Sequence, residues 1–288
     1  MPEIWFPNLG IVIDKLSRTA ATVGGFNLYW YGIFIGLGIV GAVFYVMYEA
    51  NRTGQSVDEY LDFGVWAIIL SILGARVYYI LFKLDYYLAN PMKIFAFREG
   101  GLAIYGAVIT GILCGLVYCI KKKKSFFLMA DTVLPSLLIG QAVGRWGNFF
   151  NREAFGGFTD GLFAMRYQLS QVGNVPQSVL DHVMTIGGVE YIQVQPTFLY
   201  ESMWNVCLLI IIMLFKKHKK FDGQVGSLYL MGYGLGRIWI EGLRTDQLLL
   251  WNTNIPVSQI VSAAIIAVGL VIYISRKNAS KKNLTEEI

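Results

Sequence analysis

Seven apolar stretches, at residues 28–48, 60–82, 101–120, 130–150, 198–215, 225–242 and 256–275, each approach the length of a membrane-crossing helix. A hydrocarbon core is crossed by about 20 apolar residues at helical rise. Inside it every backbone N–H and C=O must find a partner within the protein, which leaves helices or a closed barrel. The expected fold is an all-α polytopic membrane protein with seven transmembrane helices. Composition agrees: 55% of the residues are hydrophobic and 15% charged, far from the balance of a soluble domain. The first stretch lacks a basic leader and a small-residue cleavage site, so it reads as a retained helix and not a removed signal peptide.

Lysine and arginine set the orientation. The clusters KKKK at 121–124, KKHKK at 216–220 and RKNASKK at 276–282 fall on one side of a seven-helix chain. By the positive-inside rule that side is the cytoplasm, with the amino terminus outside and the carboxyl terminus inside. Omitting the glycine-rich, charge-bearing stretch at 225–242 would leave six helices and place RKNASKK outside. A net charge of +5 therefore speaks of topology and anionic headgroups, not of nucleic acid. The three cysteines, Cys114, Cys119 and Cys207, lie inside apolar runs and read as packing residues.

On this topology the unusual polar residues gather at one level. Tyr31 lies at the outer end of the first helix, Arg76 in the outer half of the second and Tyr105 at the outer end of the third. Arg145, Asn148, Asn151 and Glu153 fall at the outer end of the fourth, Tyr200 and Glu201 at that of the fifth, and Tyr233, Arg237, Glu241 and Arg244 at that of the sixth. Spacings of four, four and three line the last set along one helix face, and Arg145, Asn148 and Arg152 share another. A lone arginine near a helix end often snorkels to the headgroups. Arginines with amide and carboxylate neighbours at helical spacing point instead to a polar chamber in the outer leaflet. Guanidinium forks suit phosphate oxygens, asparagines suit the hydroxyls of a headgroup, and an apolar floor suits acyl chains. The ligand expected is a phospholipid. A proton path would need ionisable residues through the full thickness, and the inner half has no comparable set.

GRWGNFFNREAFGG, beginning at residue 144, resembles the signature of bacterial prolipoprotein diacylglyceryl transferases, of the form G-R-x-G-N-F-x-N-x-E-x-x-G, with matches at Gly144, Arg145, Gly147, Asn148, Phe149, Asn151, Glu153 and Gly156. GARVYYILF at 74–82, REGGLAIYGA at 98–107, QPTFLYES at 195–202 and YGLGRIWIEGLR at 233–244 are similar to the family's other motifs, in the same order, so the resemblance spans essentially the whole chain. It implies an enzyme that moves the diacylglyceryl group of phosphatidylglycerol to the thiol of the lipobox cysteine of a prolipoprotein, forming a thioether and releasing glycerol phosphate. It implies a bacterial plasma-membrane location with an outward-facing site, and no cofactor. By the same resemblance Arg145 and Arg237 are essential, supported by Tyr31, Asn148, Glu153, Tyr233, Glu241 and Arg244.

The roles expected follow from the chemistry. Arg145 and Arg237 grip the phosphate, Glu241 orients Arg237 from one turn away, and Asn148 and Asn151 hold headgroup hydroxyls, with Arg76 also in the binding set. Tyr105 stands where many family members have a histidine. This chain has only His182, in the long 157–197 connection, and His218, in the cytoplasmic KKHKK cluster. A thiol ionises near pH 8.5, and neighbouring arginines favour its thiolate, so no histidine base is expected. No histidine or cysteine cluster has metal-ligand spacing, and no glycine-rich phosphate loop suggests a nucleotide. The 157–197 connection reads as a small external head on a single membrane-embedded domain, with a short strand in GGVEYIQVQPT and a helical turn or two in SVLDHVM. Residues 1–26 read as an interfacial segment anchored by Trp5 and Phe6. A lipid-binding or lipid-moving protein would use the same chamber without breaking a bond.

Overall fold

The computed structural model describes residues 1–97, 100–251 and 253–286. Nine α-helices are found among them: α1 (Trp30–Arg52), α2 (Val57–Phe82), α3 (Leu84–Ala89), α4 (Ile104–Lys122), α5 (Phe126–Asn151), α6 (Gln177–Leu180), α7 (Thr197–Phe215), α8 (Gln224–Leu243) and α9 (Val257–Glu286). Six of these, α1, α2, α4, α5, α7 and α9, are long and apolar enough to cross a membrane. The chain is a polytopic membrane protein. The remaining stretch, at 225–242, does form a helix, α8, but five glycines, Arg237 and Glu241 lower its apolarity. Large apolar side chains stand exposed along the spans, among them Leu37, Phe44, Val65, Trp66, Leu113 and Val117. Only an apolar surrounding makes such surfaces stable.

The chain divides into two compact units, Met1–Ala42 with Leu134–Ile288, and Val43–Val133. In the second unit, α2 begins where the Ser56 side chain accepts a hydrogen bond from the Glu59 amide, with Asp58 and Glu59 in the positive first turn. Helix α4 ends at Lys123, whose left-handed backbone lets its amide reach back to the carbonyls of Cys119 and Ile120. The two helices meet through glycine. A Cβ on Gly106 would stand 2.4 Å from the Gly74 carbonyl oxygen and 2.5 Å from the Tyr78 Cβ. Small residues permit this close backbone approach, which supplies packing where lipid offers no hydrophobic drive.

The first unit carries a five-stranded antiparallel sheet that the apolar ruler does not anticipate. Its strands are β1 (Ile4–Phe6), β2 (Ile11–Ile13), β5 (Met165–Gln168), β6 (Met184–Ile186) and β7 (Val189–Val194), in the order β2-β1-β5-β7-β6. A separate hairpin pairs β3 (Thr19–Val23) with β4 (Phe26–Tyr29). The expected strand in GGVEYIQVQPT is β7, and the expected turn in SVLDHVM is α6. The expectation for residues 1–26 needs correction. Residues 4–6, 11–13 and 19–23 are strands, Phe6 is buried in the core and not held out as an anchor, and β1 enters the sheet by pairing Ile4 with Tyr167 and Trp5 with Arg166. Ile4, Phe6, Met165, Tyr167, Ile192 and Val194 bury one sheet face against Phe149 at the end of α5 and Phe198 at the start of α7. The sheet thus packs against the end of α5, which lies within the signature segment, and against the start of α7.

Replacing Gly106 by alanine should drive α2 and α4 apart, because the added methyl meets backbone and not a yielding side chain. Overpacking of this kind costs about 1–3 kcal/mol. The temperature of thermal inactivation in detergent should fall for Gly106→Ala and stay unchanged for Gly64→Ala, where a Cβ meets nothing within 4 Å.

Candidate active site

The signature segment straddles the end of α5. Gly147 faces Tyr31, the second residue of α1, so closely that a Cβ would stand 2.6 Å from the Tyr31 ring. Past Asn151 the chain turns through two non-glycine residues at positive φ, Arg152 at 55° and Ala154 at 56°. Such backbone is costly unless its surroundings hold it. Here they do. The Gly156 amide donates to the Gln195 carbonyl at 2.9 Å and the Gly157 amide to that of Leu243 at 3.2 Å, tying the segment to the start of α7 and the end of α8. A Cβ at Gly156 would lie 2.8 Å from the Leu243 oxygen, so glycine is what permits that stitch.

Arg152 does not join the face of Arg145 and Asn148. It lies beyond the end of α5, where its Nη2 donates to the Glu3 carboxylate at 2.6 Å and to the Leu16 carbonyl at 2.6 Å. It anchors the amino-terminal segment instead. Arg244 also leaves its expected face. It is the first residue past α8, in extended backbone, and its Nε and Nη2 pair with Asp246 at 2.9 and 2.7 Å. Burial works to raise the Asp246 pKa, but the hydrogen bond and charge of Arg244 outweigh it and hold the carboxyl below the usual carboxylate range.

The remaining residues of this unit form one chain of contacts. Asn148 and Asn151 each donate an amide N–H to the exposed Glu153 carboxylate, at 2.9 and 3.1 Å. The Asn148 oxygen accepts from Arg145 at 3.3 Å, and the second terminal nitrogen of Arg145 donates to Glu201 at 2.6 Å. The other Glu201 oxygen accepts from Arg237 at 3.0 Å, and Arg237 lies 2.6 Å from the Glu241 carboxylate one turn along α8. Tyr233, a turn earlier, stacks on Tyr229 with ring centroids 5.8 Å apart. Glu201 is the member to which the spacing argument gave no role. It is named there only as a polar residue at a helix end, because its partners lie 56 and 36 residues away and no helical period connects them.

Glu201 is 4% exposed and Glu241 5%, while Arg145 and Arg237 retain 21% and 16%. Two cations are therefore balanced by two anions, with the guanidiniums more accessible than the carboxylates. A guanidinium has five N–H donors. The carboxylates and Asn148 hold part of each fork, and the donors left over are fixed in direction for an incoming oxyanion.

Tyr105 and Arg76 belong to the other unit. Tyr105 is the second residue of α4, and the Ala103 amide just before that helix donates to the Ala75 carbonyl at 3.1 Å. Arg76 is buried, and its guanidinium donates to four backbone carbonyls: Ile94 at 3.0 Å, Gly100 at 2.6 Å, Gly101 at 3.0 Å, and Lys93 at 2.5 Å. Gly100 and Gly101 sit at φ 85° and 74°, and a Cβ at Gly101 would lie 2.5 Å from Arg76 Nη1. This accounts for the paired glycines of REGGLAIYGA. The geometry makes Arg76 a clamp on the carbonyls of Lys93, Ile94, Gly100 and Gly101, with its donors turned to the backbone.

Among the described residues no group of three or more histidine, cysteine, aspartate or glutamate side chains could hold a metal. Fold and site together define a polytopic membrane protein with a buried guanidinium–carboxylate chain at its helix ends. The family model for prolipoprotein diacylglyceryl transferase matches residues 18–275. Proteins named phosphatidylglycerol–prolipoprotein diacylglyceryl transferase are similar along nearly their whole length. That of Oceanobacillus iheyensis is 40% identical over 272 residues, covering 93% of this chain and 91% of its own. That of Clostridioides difficile is 39% identical over 274 residues, covering 94% and 100%. That of Bacillus cytotoxicus is 37% identical over 274 residues, covering 93% and 95%. The chain belongs to the prolipoprotein diacylglyceryl transferase family.

Removing one partner of a buried ion pair costs about 3–5 kcal/mol, because the other charge stays behind. Glu201→Ala leaves two cations undercompensated and should lower thermal stability by more than Glu153→Ala, whose carboxylate is exposed. A melting curve in detergent with bound phospholipid measures the difference.

Proposed function

We propose that this chain transfers the diacylglyceryl group of phosphatidylglycerol to the lipobox cysteine of a prolipoprotein, the first step of bacterial lipoprotein maturation. The single observation that carries the reading is the Arg145–Glu201–Arg237 bridge, two guanidiniums held by one buried carboxylate, in a chain of this family.

The thiolate sulfur attacks the glycerol carbon that bears the phosphate ester. A carbon–sulfur bond forms, the carbon–oxygen bond breaks, and the electron pair leaves with glycerol phosphate. Negative charge grows on the departing phosphate. Fixed cations in a site shielded from bulk water stabilise such charge without reorganising. Arg145 and Arg237 supply them, and Glu201 and Glu241 aim them. The Asn148, Asn151 and Glu153 cluster receives the headgroup hydroxyls, with Tyr31 and Tyr233 as walls. Arg244 is held ready by Asp246 at the rim. Arg76 holds the carbonyls of Lys93, Ile94, Gly100 and Gly101 within its own unit. The thiol proton passes to the departing phosphate or to a carboxylate, and Tyr105 offers a hydroxyl where relatives offer an imidazole.

The topology that suits this reaction has seven spans, with α8 among them, the amino terminus outside, and the site facing the outer leaflet of the plasma membrane, where secreted precursors emerge. Support for α8 as a span comes from its 20 residues, about 30 Å of helix, and from the pairing of both its charges. The strands of residues 157–197, joined by β1 and β2, form the external head, which guides the precursor peptide.

The test is a purified protein in phosphatidylglycerol micelles with a lipobox peptide, read by mass spectrometry for a diacylglyceryl adduct on cysteine. An adduct is expected, and it should vanish with a Cys→Ser peptide and with Arg145→Ala. A lipid carrier would give no adduct and no glycerol phosphate. Arg145→Lys keeps the charge and loses the fork, so turnover should drop by about 100-fold or more, in the range of a lost oxyanion donor; near-wild-type turnover removes forked phosphate recognition there. Tyr105→Phe should slow the reaction if the hydroxyl takes part, and full retention of turnover removes it from the mechanism.

A further inference from the structure

A cavity of about 660 Å³ opens between the amino-terminal segment and the turn after β5, wholly within the unit that carries the sheet. Lys15, Arg18 and Arg152 line it with one carboxylate, Glu3, and with Ser170 and Gln171. Glu3 is already engaged: it accepts from Arg152 Nη2 at 2.6 Å, from the Leu16 amide at 2.8 Å and from the Gln171 side chain at 3.4 Å. Arg152 and Glu3 therefore cancel, and the charge left over is that of Lys15 and Arg18. Both are exposed, and neither has an ion-pair partner among the described residues. Arg18 donates from Nη2 to the Gln171 carbonyl at 2.9 Å, which joins the two sides of the cavity. Arg152 Nε, a buried N–H of the same wall, has no acceptor among the described residues. Two uncompensated cations and an unmet donor fit an oxyanion.

The backbone puts this charge where a span begins. Trp30, the first residue of α1, donates its amide to the Arg18 carbonyl at 3.1 Å, and Thr19 pairs with Tyr29 at the base of the β3–β4 hairpin. Helix α1 is long and apolar enough to cross a membrane, so Arg18 lies beside the bilayer surface. The hairpin carries Val23, Leu28 and Tyr29 at 71%, 49% and 51% exposure, and β2, just before Lys15, carries the exposed Ile11 and Val12. Basic side chains flanked by exposed apolar ones at the start of a span make the profile of a headgroup layer, with cations at phosphate depth and apolar groups among acyl chains. Positive charge in excess selects an anionic lipid over a zwitterionic one.

We propose that this cavity holds the phosphate of an acidic phospholipid, with Lys15 and Arg18 pairing with its oxygens and the apolar side chains of the β3–β4 hairpin set among the acyl chains. The site uses neither Arg145 nor Arg237 and does not rest on the transfer reaction. A phosphate there joins residues 15–18 to residues 170–173, two segments that already meet through Arg18 and Gln171. Its function is to seat the edge of the sheet on the bilayer at the point where α1 enters.

Hydrogen exchange of the full chain in lipid nanodiscs tests it, since the readout is local and needs no turnover. What is compared, within each variant, is exchange in discs doped with phosphatidylglycerol and in discs of phosphatidylcholine alone. In the unaltered protein, amides of residues 15–19 and 169–174 should exchange more slowly in the doped discs. Two basic side chains at an anionic surface are together worth roughly 30-fold in binding. At low phosphatidylglycerol content the difference should therefore disappear in Lys15→Gln/Arg18→Gln and persist in Lys15→Arg/Arg18→Lys. The carbonyl of residue 18 stays in place for Trp30 in each variant, and comparison within one variant removes the effect of the lost Arg18–Gln171 bond. Melting curves check the fold; should the double glutamine variant unfold, Lys15→Gln alone carries the test and should lose part of the protection. Equal exchange in both lipids, a difference that survives the glutamines, or one spread evenly over the exposed loops overturns the proposal. Equal protection from glycerol phosphate added to phosphatidylcholine discs overturns the lipid and leaves a soluble anion. A failed transfer assay alters none of these outcomes.

Discussion

One carboxylate, Glu201, holds the site together. Two guanidiniums placed near each other at a membrane helix end repel, and desolvation makes each more costly. Glu201 removes both problems with its two oxygens, one for Arg145 on α5 and one for Arg237 on α8, while itself sitting on α7. Three helices are thereby registered to one another by a single side chain. The arrangement also defines what a ligand must do. On the proposed reading, an incoming phosphate would find cations already aimed but already compensated, would bind to the donors that remain, and would be held more strongly as its own charge grows. Stabilisation that rises along the reaction coordinate is what accelerates a chemical step.

The glycines of the family motifs acquire separate physical meanings. Gly147 lets the Tyr31 ring lie against α5, Gly156 lets the signature turn approach the end of α8, and Gly101 lets a carbonyl face Arg76. Gly74 and Gly106 do none of this; they allow two helices to touch. The first three shape the segments around polar groups and the last two shape the bundle. Substitutions therefore divide by consequence, since a displaced ring changes a site and a displaced helix changes a fold.

Much of this is legible in the sequence. Apolar length located the six helices long and apolar enough to cross a membrane, because lipid imposes the same ruler on each. Helical spacing put Arg237 and Glu241 together, because a four-residue separation within one helix is a contact. Spacing failed at Arg152 and Arg244, which lie just past helix ends where the period no longer applies. It was silent on Glu201, whose partners come from other helices. The carbonyl partners of Arg76 are not legible either, since nothing in its own helix reveals that a glycine pair will present carbonyls to it. The strands of residues 1–29 were hidden for a related reason. Three-residue strands give too few alternations to register, and β1 has meaning only beside β5.

That last pairing orders the assembly of the molecule in time. Ile4 meets Tyr167, and Glu3 meets Arg152, so β1, paired locally with β2, finds these distant partners only after more than half of the chain has been made. Four long helices are synthesised between the two strands. Until then β1 has only its neighbour β2 to pair with, and contacts as distant in sequence as β1 with β5 form slowly because the intervening loop must first be closed. Closure of the sheet is thus a late event that can occur only when the ends of α5 and α7 have reached the same side of the membrane. A chain with a misinserted helix would leave β1 without β5, and its loose amino terminus would mark it as unfinished.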